Sequence, residues 1–234
     1  MAKKTSIINT KDKVLTVGIP AFKAQKEISD CLSSIMIQTV RDNLKVIIAT
    51  DYPEDDYSYL KDRFPELDIT ILPCTENGGP GIARQRCLDA CKTEWITFID
   101  ADDVFISPLS LESLLKGVQQ NCIEVQGIFF QEIVNHPQVR LAPRNDPGHP
   151  WVFGRMYNVK FLKESKIGFT ELRAMEDGEF NWKIRMTIEG SPLTINIVNE
   201  PIYLWRTGSE HSITRIGVDK NGIAQYNFDL CQVG

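Results

Sequence analysis

Trp95-Ile-Thr-Phe-Ile-Asp-Ala-Asp-Asp103, WITFIDADD, runs an apolar, partly β-branched stretch straight into three carboxylates with one alanine between them. The first half has the character of a buried strand. Aspartate favours turns and helix caps on its own account, which explains one such residue at a strand end. Three together repel one another and require a positive counterpart. Hard cations such as Mg²⁺ and Mn²⁺ take oxygen ligands, usually one or two carboxylates plus substrate phosphates. Asp100 and Asp102, one residue apart, can point to the same side of an extended or turning backbone, which makes them the candidate pair. A capped helix start is the competing explanation.

Outward from this strand the first half of the chain repeats one rhythm of strand, turn and helix. Val14 to Ile19 reads as a strand, followed by Ile28, Cys31, Leu32, Ile35 and Met36 at helical spacing. Leu44 to Ala49 and Ile69 to Leu72 read as further strands, with a helical segment near Tyr57 to Phe64 between them. Pro80 opens a helix that runs to Cys91, in the first turn where its missing N–H does no harm. Such alternation predicts an α/β fold with a mainly parallel sheet covered by helices on both faces. In sheets of this kind ligands bind beyond the carboxyl ends of the strands. Pro20-Ala21-Phe22, Asp51, Asn77-Gly78-Gly79 and Asp100-Ala101-Asp102 all fall at those ends.

The second half changes character. Ile123 to Ile133 is a long apolar segment with a counterpart at Val139 to Leu141, which predicts antiparallel pairing. A Pro-, Gly- and Asn-rich loop follows over 142–150. Helices are expected near 154–166 and 177–189, and strands at Leu193–Ile197 and Ile202–Trp205. With no Pro/Ser/Gly linker between the halves, residues 1–234 read as one domain. Its first half spans about 13–105, its second about 106–215, and a tail covers 216–234.

At 234 residues, 42% hydrophobic and 24% charged, the chain has an ordinary globular composition and can bury a core without disulfides. Its net charge of −5 argues against a broad, sequence-independent grip on nucleic acid. The six cysteines form no CxxC pair, so neither a zinc site nor a disulfide framework is expected. No apolar run reaches the ~18 residues of a membrane span, and MAKKTSIINTKDK lacks the apolar middle of a secretory signal. A cytoplasmic location without a membrane span is the expectation.

Three more clusters carry chemistry. In Met175-Glu176-Asp177-Gly178-Glu179-Phe180 an acidic pair opens an amphipathic helix, where it either complements the helix dipole or supplies a general base. Tyr203 to Arg215 gathers Arg206, His211 and Arg215 around Gly208, groups able to neutralise a leaving diphosphate. Asn77-Gly-Gly-Pro-Gly-Ile-Ala-Arg84 is a glycine-rich turn feeding a helix N-terminus, although it matches neither G-x-G-x-x-G nor a P-loop. Arg84 and Arg86 lie two apart and cannot share a helix face, so one faces the site while the other is solvated.

The order of these clusters resembles the family 2 glycosyltransferases of the GT-A (Rossmann-like) fold, over about Val14 to Arg215. VGIPAFKAQKEISDCLSSIMIQT is similar to the family's opening strand, loop and helix, with Lys23 where an asparagine is usual. NGGPGIARQRCLDACKTEWITFIDADD is similar to its donor-binding centre, AMEDGEF to its acceptor-side acidic pair, and YLWRTGSEHSITR to its closing loop. The resemblance implies that Pro20, Ala21 and Phe22 line the nucleotide pocket, that Asp51 meets the base, and that Gly79 and Arg84 help fix the nucleotide. It implies that Asp100, with Ala101 beside it, contacts the nucleoside or its ribose. Asp102, with His211, would hold Mn²⁺ or Mg²⁺, while Arg206 and His211 face the diphosphate. Asp177 would be the catalytic base and Glu176 its neighbour at the acceptor. Where many relatives read Asp-Asp-Gly-Ser after the second strand, this chain reads Thr50-Asp51-Tyr52-Pro53, which leaves the nucleotide open. Asp103 is expected to cap a turn or helix rather than to bind metal.

The resulting expectation is a metal-dependent, inverting glycosyltransferase with a nucleotide-diphosphate sugar as donor, UDP-sugar foremost. Its acceptor is a hydroxyl of a glycan, a protein or a modified nucleic-acid base. A nucleotidyltransferase would use the same carboxylates but needs a basic glycine-rich loop after the first strand, for which PAFKAQKE is poor. A non-catalytic GT-A module that only holds a nucleotide sugar would have no use for Glu176-Asp177.

Overall fold

The computed structural model describes residues 13–135, 138–144, 149–172, 174–206, 216–218 and 224–226. In chain order the elements are β1 (Leu15–Ala21), α1 (Ile28–Met36), β2 (Leu44–Thr50), α2 (Leu60–Arg63), β3 (Ile69–Leu72), α3 (Pro80–Ala90), β4 (Trp95–Phe98), β5 (Val104–Phe105) and α4 (Ser110–Lys116). They continue with β6 (Cys122–Asn135), β7 (Gln138–Arg144), β8 (Arg155–Asn158), α5 (Val159–Glu164), α6 (Glu176–Ile188), β9 (Thr194–Trp205), β10 (Ile216–Val218) and β11 (Ala224–Tyr226). Nine strands share one sheet in the order β3-β2-β1-β4-β8-β6-β9-β5, with β7 paired to β6; β10 and β11 form a separate antiparallel pair.

The strands of the first half are parallel. β1 pairs β2 from Leu15↔Leu44 to Ala21↔Thr50, and β4 from Leu15↔Trp95 to Gly18↔Phe98, so their carboxyl ends form one rim. β1 and β2 are buried almost throughout, as unbroken apolar strands must be when helices cover both faces. Alternation then sorts the side chains. Val46 and Ile48 join Leu15, Val17, Ile19 and the α1 residues Ile28, Cys31, Leu32 and Ile35 on one face. Ile47 and Ala49 join Ile96, Phe98 and the α3 residues Ala83, Cys87 and Leu88 on the other, with Phe180 and Ile184 of α6. Each fully buried aliphatic side chain contributes about 1.5–3 kcal/mol, which keeps the rim rigid.

The second half hangs on β4 through β8, which is antiparallel to both β4 and β6. The expected antiparallel partner of the long apolar segment is present as β7. Three sequence expectations change. The segment expected to be helical from 154 begins as strand β8, because Arg155, Met156 and Tyr157 are buried between two strands; the helix starts only at α5, where the Asn158 side chain accepts the Phe161 N–H. The two strands expected at 193–205 are one, β9, whose register against β6 shifts near Pro201, a residue that cannot donate to the ladder. The helical segment expected over 57–64 shrinks to the single turn α2. β5 and α4 carry too few residues for a periodic signal and were not anticipated. Five cysteines are free, as expected, and four of them are buried; Cys231 lies outside the described residues. Among the described residues, no helix is long and apolar enough to cross a membrane.

Candidate active site

At the end of β4 the chain turns at once: the Asp103 N–H donates to the Asp100 carbonyl (3.0 Å). This turn presents Asp100 and Asp102, both part-exposed, at the rim, and drives Asp103 inward to 1% exposure. Asp103 is therefore not the cap the sequence suggests. Its carboxylate accepts the Tyr203 hydroxyl and the Arg206 N–H, tying the end of β9 to the end of β4. Burial, and then the charges of Asp102 and Asp100, push the Asp103 carboxyl well above its usual range. The strand end thus holds concentrated negative charge.

Arg84, on α3, is 4% exposed and meets three carboxylates. Nη1 lies 2.8 Å from Glu176 Oε1 and 2.9 Å from Asp177 Oδ1, and Nη2 lies 2.7 Å from Asp100 Oδ1. Burial opposes the guanidinium charge, but the three carboxylates outweigh it and hold Arg84 protonated. Asp177 also accepts the Val152 N–H (3.3 Å), and its side chain keeps 14% exposure. Burial first, then the like charges of Glu176 and Asp100, raise its carboxyl to about 7, against the pull of Arg84. A part-buried carboxyl poised near neutrality suits a general base.

The approach of Glu176 depends on a residue without a side chain. A Cβ on Gly81 would lie 2.7 Å from the Thr170 carbonyl oxygen and 3.2 Å from Glu176 Cγ. Met175, immediately before the acidic pair, takes a left-handed φ of 67°, an uncommon backbone for a side-chain-bearing residue that sets the entry angle of α6. Gly81→Ala is expected to lower stability by about 1–3 kcal/mol, as overpacking does, and to displace Glu176. Urea unfolding of the variant beside the parent checks it; an unchanged midpoint would mean that the 170–176 segment yields freely.

The residues expected at the nucleotide form a second group. Asp51 is buried, its Oδ1 accepting the N–H groups of Gly78 (2.8 Å) and Gly79 (3.1 Å), so it anchors the glycine turn ahead of α3. Gly79 itself has φ 86°, which favours glycine. Pro20 is half-buried, Ala21 buried, and Phe22 exposed at 38%, with its ring edge-on to Tyr52 at 5.7 Å. The Lys23 ammonium lies 4.3 Å from the Tyr52 ring centre. A groove of about 420 Å³ beside them is lined by Lys23, Gln25, Lys26, Tyr52 and Asp55, and none of its lining residues belongs to the carboxylate cluster. Of the two arginines on α3 neither is free in solvent: Arg86 is part-buried and donates to the carbonyls of Thr50 and Leu72 (2.8 Å each) at the ends of β2 and β3.

Arg206 is part-buried; besides its backbone bond to Asp103, its guanidinium reaches Asp30 of α1 at 3.2 Å. His211 and Arg215 lie outside the described residues. Sequence reasoning missed Val152, Asn181, Tyr203 and Gly81. Asn181 donates to the carbonyls of Pro150 (2.6 Å) and Trp151 (3.2 Å), holding the strip that carries the Val152 N–H to Asp177. Nothing local marks them, since each acts across a contact between distant segments.

Among the described residues, no group of three His, Cys, Asp or Glu side chains converges as a closed metal site. An oxygen-seeking dication that completes its shell with phosphate does not require one. Asp102 beside Asp100, two part-exposed carboxylates presented by one turn at a strand end, fits such an ion.

A family model described as Glycosyl transferase family 2 matches residues 16–176. The poly(ribitol-phosphate) beta-glucosyltransferase of Bacillus spizizenii is 25% identical over 218 residues, covering 84% of this chain and 33% of the relative. Among solved structures, the first 349 residues of Staphylococcus aureus TarS in complex with UDP-GlcNAc superpose with a TM-score of 0.70 at 18% identity, covering 86% of this chain and 62% of that one. The mannosyltransferase PcManGT of Pyrobaculum calidifontis, in complex with GDP-Man and Mn²⁺, gives 0.63 at 17% identity, covering 85% and 58%. The likeness to these structures is one of fold. The chain spans about a third of the length of the first curated relatives it matches.

Proposed function

The chain belongs to glycosyl transferase family 2, and we propose that it moves a sugar from a nucleotide-diphosphate donor to an acceptor hydroxyl with inversion at the anomeric carbon. The observation that carries this reading is Asp177: a part-buried carboxylate joined through Arg84 to the donor-side strand end and held up at about 7. In the reaction, the acceptor oxygen forms its bond to the anomeric carbon as the bond from that carbon to the diphosphate oxygen breaks. The hydroxyl proton passes to Asp177, and the electron pair leaves with the diphosphate. One displacement with one base and no enzyme nucleophile inverts the centre.

Glu176 stands beside Asp177 at the acceptor, and Asp100 and Ala101 take the ribose side of the donor. Pro20, Ala21, Phe22, Asp51 and Gly79 form the nucleotide end. Arg206 and His211 face the diphosphate. Asp102, with His211, would hold Mn²⁺ or Mg²⁺, which when bound offsets the charge of the diphosphate. UDP is the favoured nucleotide, supported by the UDP-GlcNAc complex of the similarly folded TarS. A glycan or polyol chain is the favoured acceptor, supported by the poly(ribitol-phosphate) named for a relative.

A screen of nucleotide-sugar hydrolysis in the presence of Mn²⁺ tests the reading. Slow release of UDP from UDP-glucose or UDP-GlcNAc is the expected result. Pyrophosphate release from a nucleoside triphosphate and sugar phosphate would instead mark a nucleotidyltransferase. Because only ionised Asp177 accepts a proton, kcat/KM for transfer is expected to climb with pH and level off above about 7. A rate independent of pH between about pH 5 and pH 8 would remove Asp177 from the base role.

A further inference from the structure

We propose that Arg84 is a positioning residue that fixes the acceptor-side pair Glu176-Asp177 against the donor-side strand end at Asp100, rather than a contact of the nucleotide. The inference rests on the function proposed above for the roles of Asp177 and Asp100. Its basis is geometric. One guanidinium spans carboxylates that lie 16, 92 and 93 residues from it in the chain, all within 2.9 Å. The guanidinium is planar and its N–H directions are fixed, so the three carboxylates are set in a common frame. Lysine, a point charge on a flexible stem, imposes no such frame.

The burial of Arg84 leaves little for a ligand. At 4% exposure, with each terminal nitrogen bonded to a carboxylate, it could reach a diphosphate only by loosening its hold on these groups, of which Glu176 is buried and Asp177 and Asp100 are part-buried. Among the described residues the buried Nε–H meets no acceptor, so the three carboxylates are held through the two terminal nitrogens alone. α3 is also docked to the acceptor side independently of Arg84. The Gln85 side chain accepts the Phe169 N–H at 2.8 Å, and Gly81 lies against Thr170 and Glu176. Arg84 thus sits on a helix already braced to the segment that delivers the acidic pair.

The test uses Arg84→Gln and Arg84→Lys in the full chain, with two readouts. Titration of the Asp177 side-chain carboxyl by ¹³C NMR reads the frame without any turnover. Calorimetric binding of UDP with Mn²⁺ reads the donor site. Among the described residues, Asp177 faces Arg84, Glu176, Asp100, the buried Tyr157 and the Val152 N–H, so losing the guanidinium bonded to it leaves the two neighbouring carboxylates without that counter-charge. The Asp177 midpoint is expected to rise by about one pH unit or more in Arg84→Gln, with UDP affinity within about threefold of the parent. Arg84→Lys is expected to keep part of the charge effect while transfer kcat falls about tenfold or more at unchanged donor KM, because the fork is lost. An Asp177 midpoint that stays put in both variants overturns the proposal, as does a UDP affinity weakened about tenfold or more. Should Arg84→Gln fail to fold, the Lys variant decides by the same readouts. If the parent turns over no UDP-sugar, the function reading fails while the titration still judges the positioning role.

Discussion

Asp177→Asn is expected to cut transfer by about 10²–10⁴-fold, the range a positioned general base supplies, while leaving UDP affinity near that of the parent. The amide keeps the shape of the carboxyl and can still accept a hydrogen bond from Arg84 through its oxygen, but it cannot take the acceptor proton. The loss therefore belongs to the transition state and should appear in kcat. A second consequence separates the base from a mere helix-capping carboxylate. The folded-state carboxyl is raised from 3.8 to about 7, the reverse of the usual aspartate case, so the folded state binds this proton more tightly than the unfolded chain. Stability from this group is full below about 3.8, declines as pH rises through the window up to about 7, and is lost above it. Asp177→Asn removes that burden and should melt at a higher temperature than the parent at about pH 8, with the advantage shrinking at lower pH. Near-parental transfer, or donor affinity falling in step with rate, would return Asp177 to the capping role.

Asp102→Asn is expected to lower transfer by about 10²–10³-fold, the equivalent of several kcal/mol of charge stabilisation at the leaving group. The separate readout is binding. In the parent, UDP should raise the melting temperature far more with Mn²⁺ than after exhaustive chelation, since a ligand bound only to the native state stabilises it. In Asp102→Asn that difference should vanish, with the fold retained because Asp102 lies at the part-exposed rim rather than in the core. Full activity of the parent after chelation would overturn the metal assignment and leave the acidic turn as a structural link through Asp103. The contrast with Asp103 sharpens the test: Asp103 binds Tyr203 and Arg206 in the interior, so its loss should destabilise the protein whatever the metal.

The sequence by itself determined the rim of the parallel sheet. Strands β1 to β4 and helices α1, α3 and α6 announce themselves through the spacing of neighbouring residues, and the acidic turn after Trp95–Phe98 follows from where the apolar run stops. Periodicity is a local signal, so it survives without knowledge of the rest of the chain. It fails where a segment is short or its surroundings decide. Arg155 to Asn158 is a strand only because β4 and β6 close on both sides of it, and α4 is too brief to show a period. The same reason hides the wiring of the site. Asp100, Arg84, Glu176 and Asp177 were each legible as candidates, yet nothing in their spacing says that one guanidinium joins the other three. Asp103 read as a cap becomes a buried tie to Tyr203, and Gly81, an unremarked residue at the start of α3, becomes the clearance that Glu176 needs. Those contacts join residues up to about a hundred positions apart, and they exist only once the sheet order brings α3, α6 and β9 to the end of β4.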